Sequence, residues 1–230
     1  MSTLTSALSG LKLAVAGSLA LVAFAAPASA ANTTFAQFFQ AGPGKIVSYG
    51  NNGTSNTLSV VDAPTVFSTL AFGPVGFGPA TFNLSASSSA PVLNVGQSFQ
   101  QPFWSGTMSF TNGAINLLTV SFVNAVFNVD DGLSAGSLAS GFPPHAINYT
   151  SDVLNVSGLY TKDFSLAFNG FEPPFSIGAD GLGTPLTASV AGTFAGAVPE
   201  VQSWIMMITG FGAVGVMARN RRRSGVQVLA

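Results

Sequence analysis

Short runs in which apolar and polar residues alternate fill the middle of the chain, separated by clusters of Gly, Asn, Ser and Pro. The runs are residues 57–61, 65–70, 81–86, 107–111, 115–129, 153–156, 164–168 and 186–194. Phe164-Ser165-Leu166-Ala167-Phe168 and Thr81-Phe82-Asn83-Leu84-Ser85 repeat with a period of two, which turns one face of a strand inward and the other toward water. Turn-forming clusters between the runs predict strands joined by tight connections. Residues 115–129 are long for one strand. There Val120, Phe122, Asn124, Val126 and Asn128 oppose Ser121, Val123, Ala125, Phe127 and Val129, so both faces carry apolar side chains and one bend or bulge is expected near Asn124. Sustained helical periodicity is absent. Residues 31–197 are therefore expected to form an all-β domain, an antiparallel β-sandwich or jelly-roll-like fold of eight to ten strands. A parallel β-helix is disfavoured because no fixed-period repeat occurs.

Two apolar segments at the ends do not fit this pattern. Lys12 precedes the run 13–26, and Ala28-Ser29-Ala30 supplies small residues at the positions signal peptidase reads. Residues 1–30 thus read as a signal helix cleaved after Ala30, with Ala28 and Ala30 as the processing residues. Toward the C-terminus, residues 201–218 form an uncharged run of eighteen. As a helix this would cover about 27 Å against a hydrocarbon core of about 30 Å. Arg219, Arg221, Arg222 and Arg223 follow at once, and such clusters mark the cytoplasmic flank of a membrane helix. The expectation is one transmembrane helix over 201–218 with a basic stop inside, a tail over 224–230, and everything before Pro199 outside. Gly210, Gly212 and Gly215 match a dinucleotide-binding spacing, but no strand precedes them and no acidic residue follows.

Pro199-Glu200, then Trp204-Ile205-Met206-Met207-Ile208-Thr209-Gly210-Phe211-Gly212, then the arginine cluster, stand in that order. Residues 198–223 resemble the PEP-CTERM sorting domain, with Val201 in place of the family's second proline. The resemblance implies processing at Pro199 and Glu200 by an exosortase-type enzyme. It also implies a sorting helix carrying Trp204, Met206, Met207, Gly210, Phe211 and Gly212, and a transient stay in the inner membrane with the passenger in the periplasm. The destination it implies is the cell surface or extracellular matrix, in association with exopolysaccharide or biofilm.

The whole-chain charge of −1 conceals a split. Between Ala31 and Ala197 two lysines stand against seven carboxylates and there is no arginine, so the passenger cannot neutralise a row of phosphates and nucleic acid is excluded as a partner. No cysteine is present, which leaves packing to hold the fold. Gly132-Leu133-Ser134-Ala135-Gly136 matches a nucleophile-elbow spacing with His145 downstream, but no helix start follows and no carboxylate lies between Ser134 and His145. No catalytic residue is assigned. A single histidine makes a zinc site improbable, and Asp130, Asp131 and Asp180 read first as turn residues, with calcium as the lesser reading. No cofactor or metal is expected. Twenty of the twenty-five aromatic residues are Phe, which favours a core role, while Trp104 is a candidate ligand platform with Tyr149 or Tyr160. The sequence points to a non-enzymatic exported surface or matrix protein. A polysaccharide-binding module is the alternative, followed by a hydrolase using carboxylates drawn from Asp130, Asp131, Asp152, Asp163 and Glu172.

Overall fold

The alternation of 164–168 and 81–85 continues through most of the chain in a computed structural model that describes residues 32–130, 132–140 and 146–197, with Thr209, Phe211 and Gly212. Residues 31–199 form one compact unit. The strands are β1 (Thr33–Gln40), β2 (Val47–Asn51), β3 (Asn56–Thr69), β4 (Gly76–Ser88), β5 (Leu93–Val95), β6 (Ser98–Asn112), β7 (Ile115–Val129), β8 (Ala135–Ala139), β9 (Ala146–Thr150), β10 (Thr161–Glu172) and β11 (Leu186–Ala197).

Every pairing is antiparallel, and the sheet closes on itself. β1 pairs with both β3 and β11, β6 pairs with both β4 and β7, and the circuit β1-β3-β4-β6-β7-β8-β10-β11 returns to β1. β2 prolongs the position of β1 between β3 and β11, β9 prolongs that of β8 along β7, and β5 is a short flap on β6. The all-β antiparallel expectation holds. The architecture is an eight-stranded up-and-down barrel with three additional short strands, in place of the sandwich or jelly roll, since each strand position lies beside its neighbours in the chain. Closure removes the edges an open sheet would leave. The sequence period is two in either architecture, so it does not distinguish them.

Connections therefore gather at two ends. The chain enters at Thr33 and leaves at Ala197 at one end, called here the entry end, with connections 70–75, 113–114 and 151–160. Connections 52–55, 89–97, 130–134 and 173–185 form the far end. Residues 153–156, read as a strand from their apolar character, are a loop at the entry end. Leu154 and Val156 are buried there, so their apolarity serves a plug over the barrel mouth.

Three residues with positive φ let the long strands coil. At Asp62 (φ 47°), Phe103 (φ 62°) and Asn124 (φ 62°) the register slips and the inward parity changes. β7 turns Leu118, Val120 and Phe122 inward before Asn124 and Ala125, Phe127 and Val129 inward after it. The bulge expected near Asn124 is present, and it resolves the conflict between the two faces of 115–129. Asp and Asn tolerate this backbone region, whereas Phe occupies it at a cost.

Aromatic rings fill the interior. Phe82 and Phe110 stack at 4.7 Å, Phe38 lies 4.6 Å from Phe110, and Phe67 and Phe194 complete the group. Nearer the far end Tyr49, Trp104, Phe127 and Phe175 form a second cluster. Gly192 makes room for them, and Gly106 lets β6 lie close against the backbone of β4. A Cβ at Gly106 would lie 2.3 Å from the Ser85 carbonyl oxygen, and one at Gly192 would lie 2.6 Å from Phe38 and from Leu166.

Candidate functional site

Alternation that buries the rings points every intervening side chain outward, and these are mainly Ser, Thr and Asn. Strand register aligns them into rows. One row runs Thr187–Ser48–Ser59–Ser85–Thr107–Ser121–Asn148 across β11, β2, β3, β4, β6, β7 and β9. With strands about 4.8 Å apart, seven members extend over roughly 29 Å around the wall. A second row, Asn83–Ser109–Thr119–Thr150, lies above it, and a third, Thr57–Ser87–Ser105, lies below. None of these residues is ionisable. An apolar interior behind a polar outer wall is the reverse of a transmembrane barrel, whose lipid-facing positions are apolar.

Phe103 interrupts this wall. The bulge between Gln101 and Trp104 pushes its ring outward, leaving it 63% exposed beside the Ser105 end of the third row. Trp104, its neighbour, turns inward. Its indole is fully buried against Tyr49 and Phe127, with the ring N–H unpartnered, so the expected Trp104 platform is not open to a ligand. The exposed ring is Phe103. The sequence signal was the Phe-Trp pair itself, and the extra residue of the bulge decided which member faces water. Tyr149 is also buried, its hydroxyl donating to the Asp163 carbonyl, while Tyr160 is 80% exposed.

A buried polar cluster ties the far end together. Asn56 donates from Nδ2 to the carbonyls of Gly50 (3.0 Å) and Gly183 (2.8 Å), and its Oδ1 accepts from the Gly183 N–H (2.9 Å) and Gln101 Nε2 (3.0 Å). Gln101 also donates to the Ala90 carbonyl and accepts from the Tyr49 hydroxyl at 3.0 Å. Burial pushes the Tyr49 hydroxyl far above its usual pKa. Tyr149 is raised likewise, by burial first and the nearby Asp163 charge second. Every polar atom named in this cluster has a partner, which makes it a structural clasp.

The carboxylates are engaged elsewhere. Glu172 pairs with Lys45, whose hydrogen bond and charge hold its pKa below the usual value. Asp180 accepts from Asn51 Nδ2 and the Leu182 N–H, which lower it in the same way and leave it a turn residue. Asp152 accepts from the Asn116 N–H, and Asp163 accepts from the Ser140 hydroxyl. Asp130 opens the turn from β7 to β8, where its carbonyl receives the Leu133 N–H. Ser134 sits in that turn just before β8, so a strand follows it where a nucleophile elbow has a helix. Among the described residues no three His, Asp or Glu side chains are grouped to hold a metal ion.

Asp131 and His145 lie outside the described residues, as do Ala28, Ala30, Pro199, Glu200, Trp204, Met206, Met207, Gly210, Arg219, Arg221, Arg222 and Arg223. Of the expected sorting helix, Thr209, Phe211 and Gly212 are described, each with helical backbone and exposed to solvent. Among the described residues no helix is long and apolar enough to cross a membrane. Comparisons with protein-family profiles, with curated proteins and with solved structures return no match to this chain.

Proposed function

We propose that the protein is a non-enzymatic component of the bacterial cell surface or extracellular matrix, whose barrel wall associates with neutral exopolysaccharide. In this reading signal peptidase cuts after Ala30, and residues 201–218 hold the chain in the inner membrane with the barrel in the periplasm. An exosortase-type enzyme then acts at Pro199-Glu200, and the barrel passes to the surface or matrix. Support for the route comes from the order of signal, turn, apolar run and arginine cluster in the sequence.

The observation that carries the proposed association is the row from Thr187 to Asn148. It presents hydroxyl and amide groups at regular spacing without charge, and these exchange hydrogen bonds with sugar hydroxyls as readily as with water. Each such bond contributes little on its own, about 1 kcal/mol net. Repetition along a polymer adds avidity, because one chain can engage many sites. Phe103 supplies the apolar contact for a sugar face. The test is retention of the mature barrel on the host's own exopolysaccharide. Wild type should be retained, and both Phe103→Ala and the double variant Ser85→Ala, Thr107→Ala should elute earlier with unchanged thermal unfolding or a small shift. A wild-type protein that passes through without delay would remove the reading.

A further inference from the structure

Of the exposed large apolar side chains of the barrel, five lie at the end where the chain leaves it, three at the far end, and four, Phe39, Val61, Phe103 and Val123, on the side wall. At the entry end Val75 is 74% exposed, Phe77 84% and Tyr160 80%, with Leu70 and Ile115 also open. Phe77 borders a surface cleft of about 250 Å³ that Pro74, Pro79 and Leu117 also line. The far end shows Leu93, Val95 and Ile177, all less exposed than these three. Tyr160 stands at the exit itself, since its N–H donates to the carbonyl of Ala197 at 2.8 Å. Only Val198, Pro199 and Glu200 separate Ala197 from the uncharged run beginning at Val201. The four steps from Ala197 to Val201 span at most about 14 Å in any conformation.

We infer that, while the chain is anchored, the entry end of the barrel rests on the lipid bilayer, with the 70–77 hairpin and Tyr160 in the headgroup region. This rests on the proposed membrane span at 201–218. Given that span, the linker holds the exit within about 14 Å of the start of the span, which brings the side chains around Ala197 within reach of the headgroup region. What surrounds it is Val, Phe, Leu and Ile beside an open tyrosine, and Tyr is enriched at membrane interfaces because its ring is apolar and its hydroxyl is polar. The charged groups at this end are Asp152 and Asp163, both hydrogen-bonded within the barrel, and Lys162, a cation suited to anionic headgroups. The far end, with the Asn56 clasp, faces away from the bilayer, and the hydroxyl rows stand on the side wall.

Because the chain has no cysteine, single labels can be placed cleanly. Full-length protein carrying Val75→Cys, Tyr160→Cys or Val95→Cys is labelled with an environment-sensitive fluorophore. It is then reconstituted into vesicles of phosphatidylethanolamine and phosphatidylglycerol and floated on a density gradient. The expected result is flotation, with blue-shifted emission and shielding from aqueous iodide at positions 75 and 160 and neither effect at 95. Flotation with all three labels open to iodide would overturn the inference and leave the anchor standing. Failure of the unlabelled chain to float would overturn the anchor and the inference together.

Discussion

Replacing Asn56 with Ala removes the centre of the far-end clasp, and the cost can be worked out bond by bond. The side chain is fully buried and makes four hydrogen bonds, two as donor and two as acceptor. Each contributes about 1 kcal/mol net, and a donor such as the Gly183 N–H left buried without a partner costs about 1 to 3 kcal/mol more. The expected loss is about 4 to 5 kcal/mol, near the top of the range for single substitutions. In a domain of this size it corresponds to a fall in Tm of about 10 °C or more. Asn94, exposed on β5, gives the control: its alanine variant should stay within about 0.5 kcal/mol of wild type. Asn56→Asp adds a second reading. Its carboxylate would face the carbonyl oxygens of Gly50 and Gly183, so its folded pKa would rise above the unfolded value of about 3.9. Above that value the unfolded state ionises more easily than the folded state, so the destabilisation relative to wild type should grow with rising pH and shrink toward pH 3. Urea unfolding of the three variants at several pH values is the assay. An Asn56→Ala variant within about 1 kcal/mol of wild type would refute the claim that the cluster clasps the far end.

Other expectations follow from the same geometry. Phe103→Asn should raise stability by about 1 kcal/mol, because Asn occupies the left-handed region more easily, and the same variant should weaken retention on exopolysaccharide; thermal melts and the retention assay read the two effects separately. Gly106→Ala should destabilise by about 3 kcal/mol or prevent folding, since its Cβ meets backbone at 2.3 Å, while Gly192→Ala, which meets mainly side-chain ends, should cost less in urea denaturation. Alkaline pH should destabilise the barrel. Tyr49 and Tyr149 have folded pKa values raised well above the unfolded value of about 10, so their contribution is complete below pH 10 and lost above it, by about 1.4 kcal/mol per pH unit for each. Stability of Tyr49→Phe and Tyr149→Phe should fall less steeply above pH 10 than that of wild type.

Strand identity was legible where alternation held over five residues or more. β4, β6, β10 and β11 contain the runs 81–86, 107–111, 164–168 and 186–194, and β7 has the bounds 115–129 read from the sequence. Run 57–61 and residues 65–69 of the next run are one strand, β3, with the Asp62 bulge resetting the alternation between them. β1, β2, β5, β8 and β9 escaped notice: in β1 the buried Phe35 and Ala36 are adjacent and break the alternation, and the other four are three to five residues long, β8 and β9 being half-length pieces of one barrel position. Barrel closure was not legible, because pairing partners are set by register between distant segments and leave no local mark. The wall rows were illegible for the same reason: Ser48, Ser85 and Ser121 are unremarkable serines until pairing sets them in line. Trp104 was misread because the residue that flips its parity, Phe103, is of a type seldom found at positive φ.

The proposed route of export, brief anchoring and release of the barrel to the surface or matrix can be followed by intact mass and cell fractionation from the native host, with and without the processing enzyme. The expected species begins near Ala31, ends near Pro199 and lies outside the inner membrane. That species should give way, without the enzyme, to a membrane-bound one retaining Arg221 to Arg223. A species that keeps those arginines in the inner membrane when the enzyme is present, or one that keeps residues 1–30 in the cytoplasm, would contradict it.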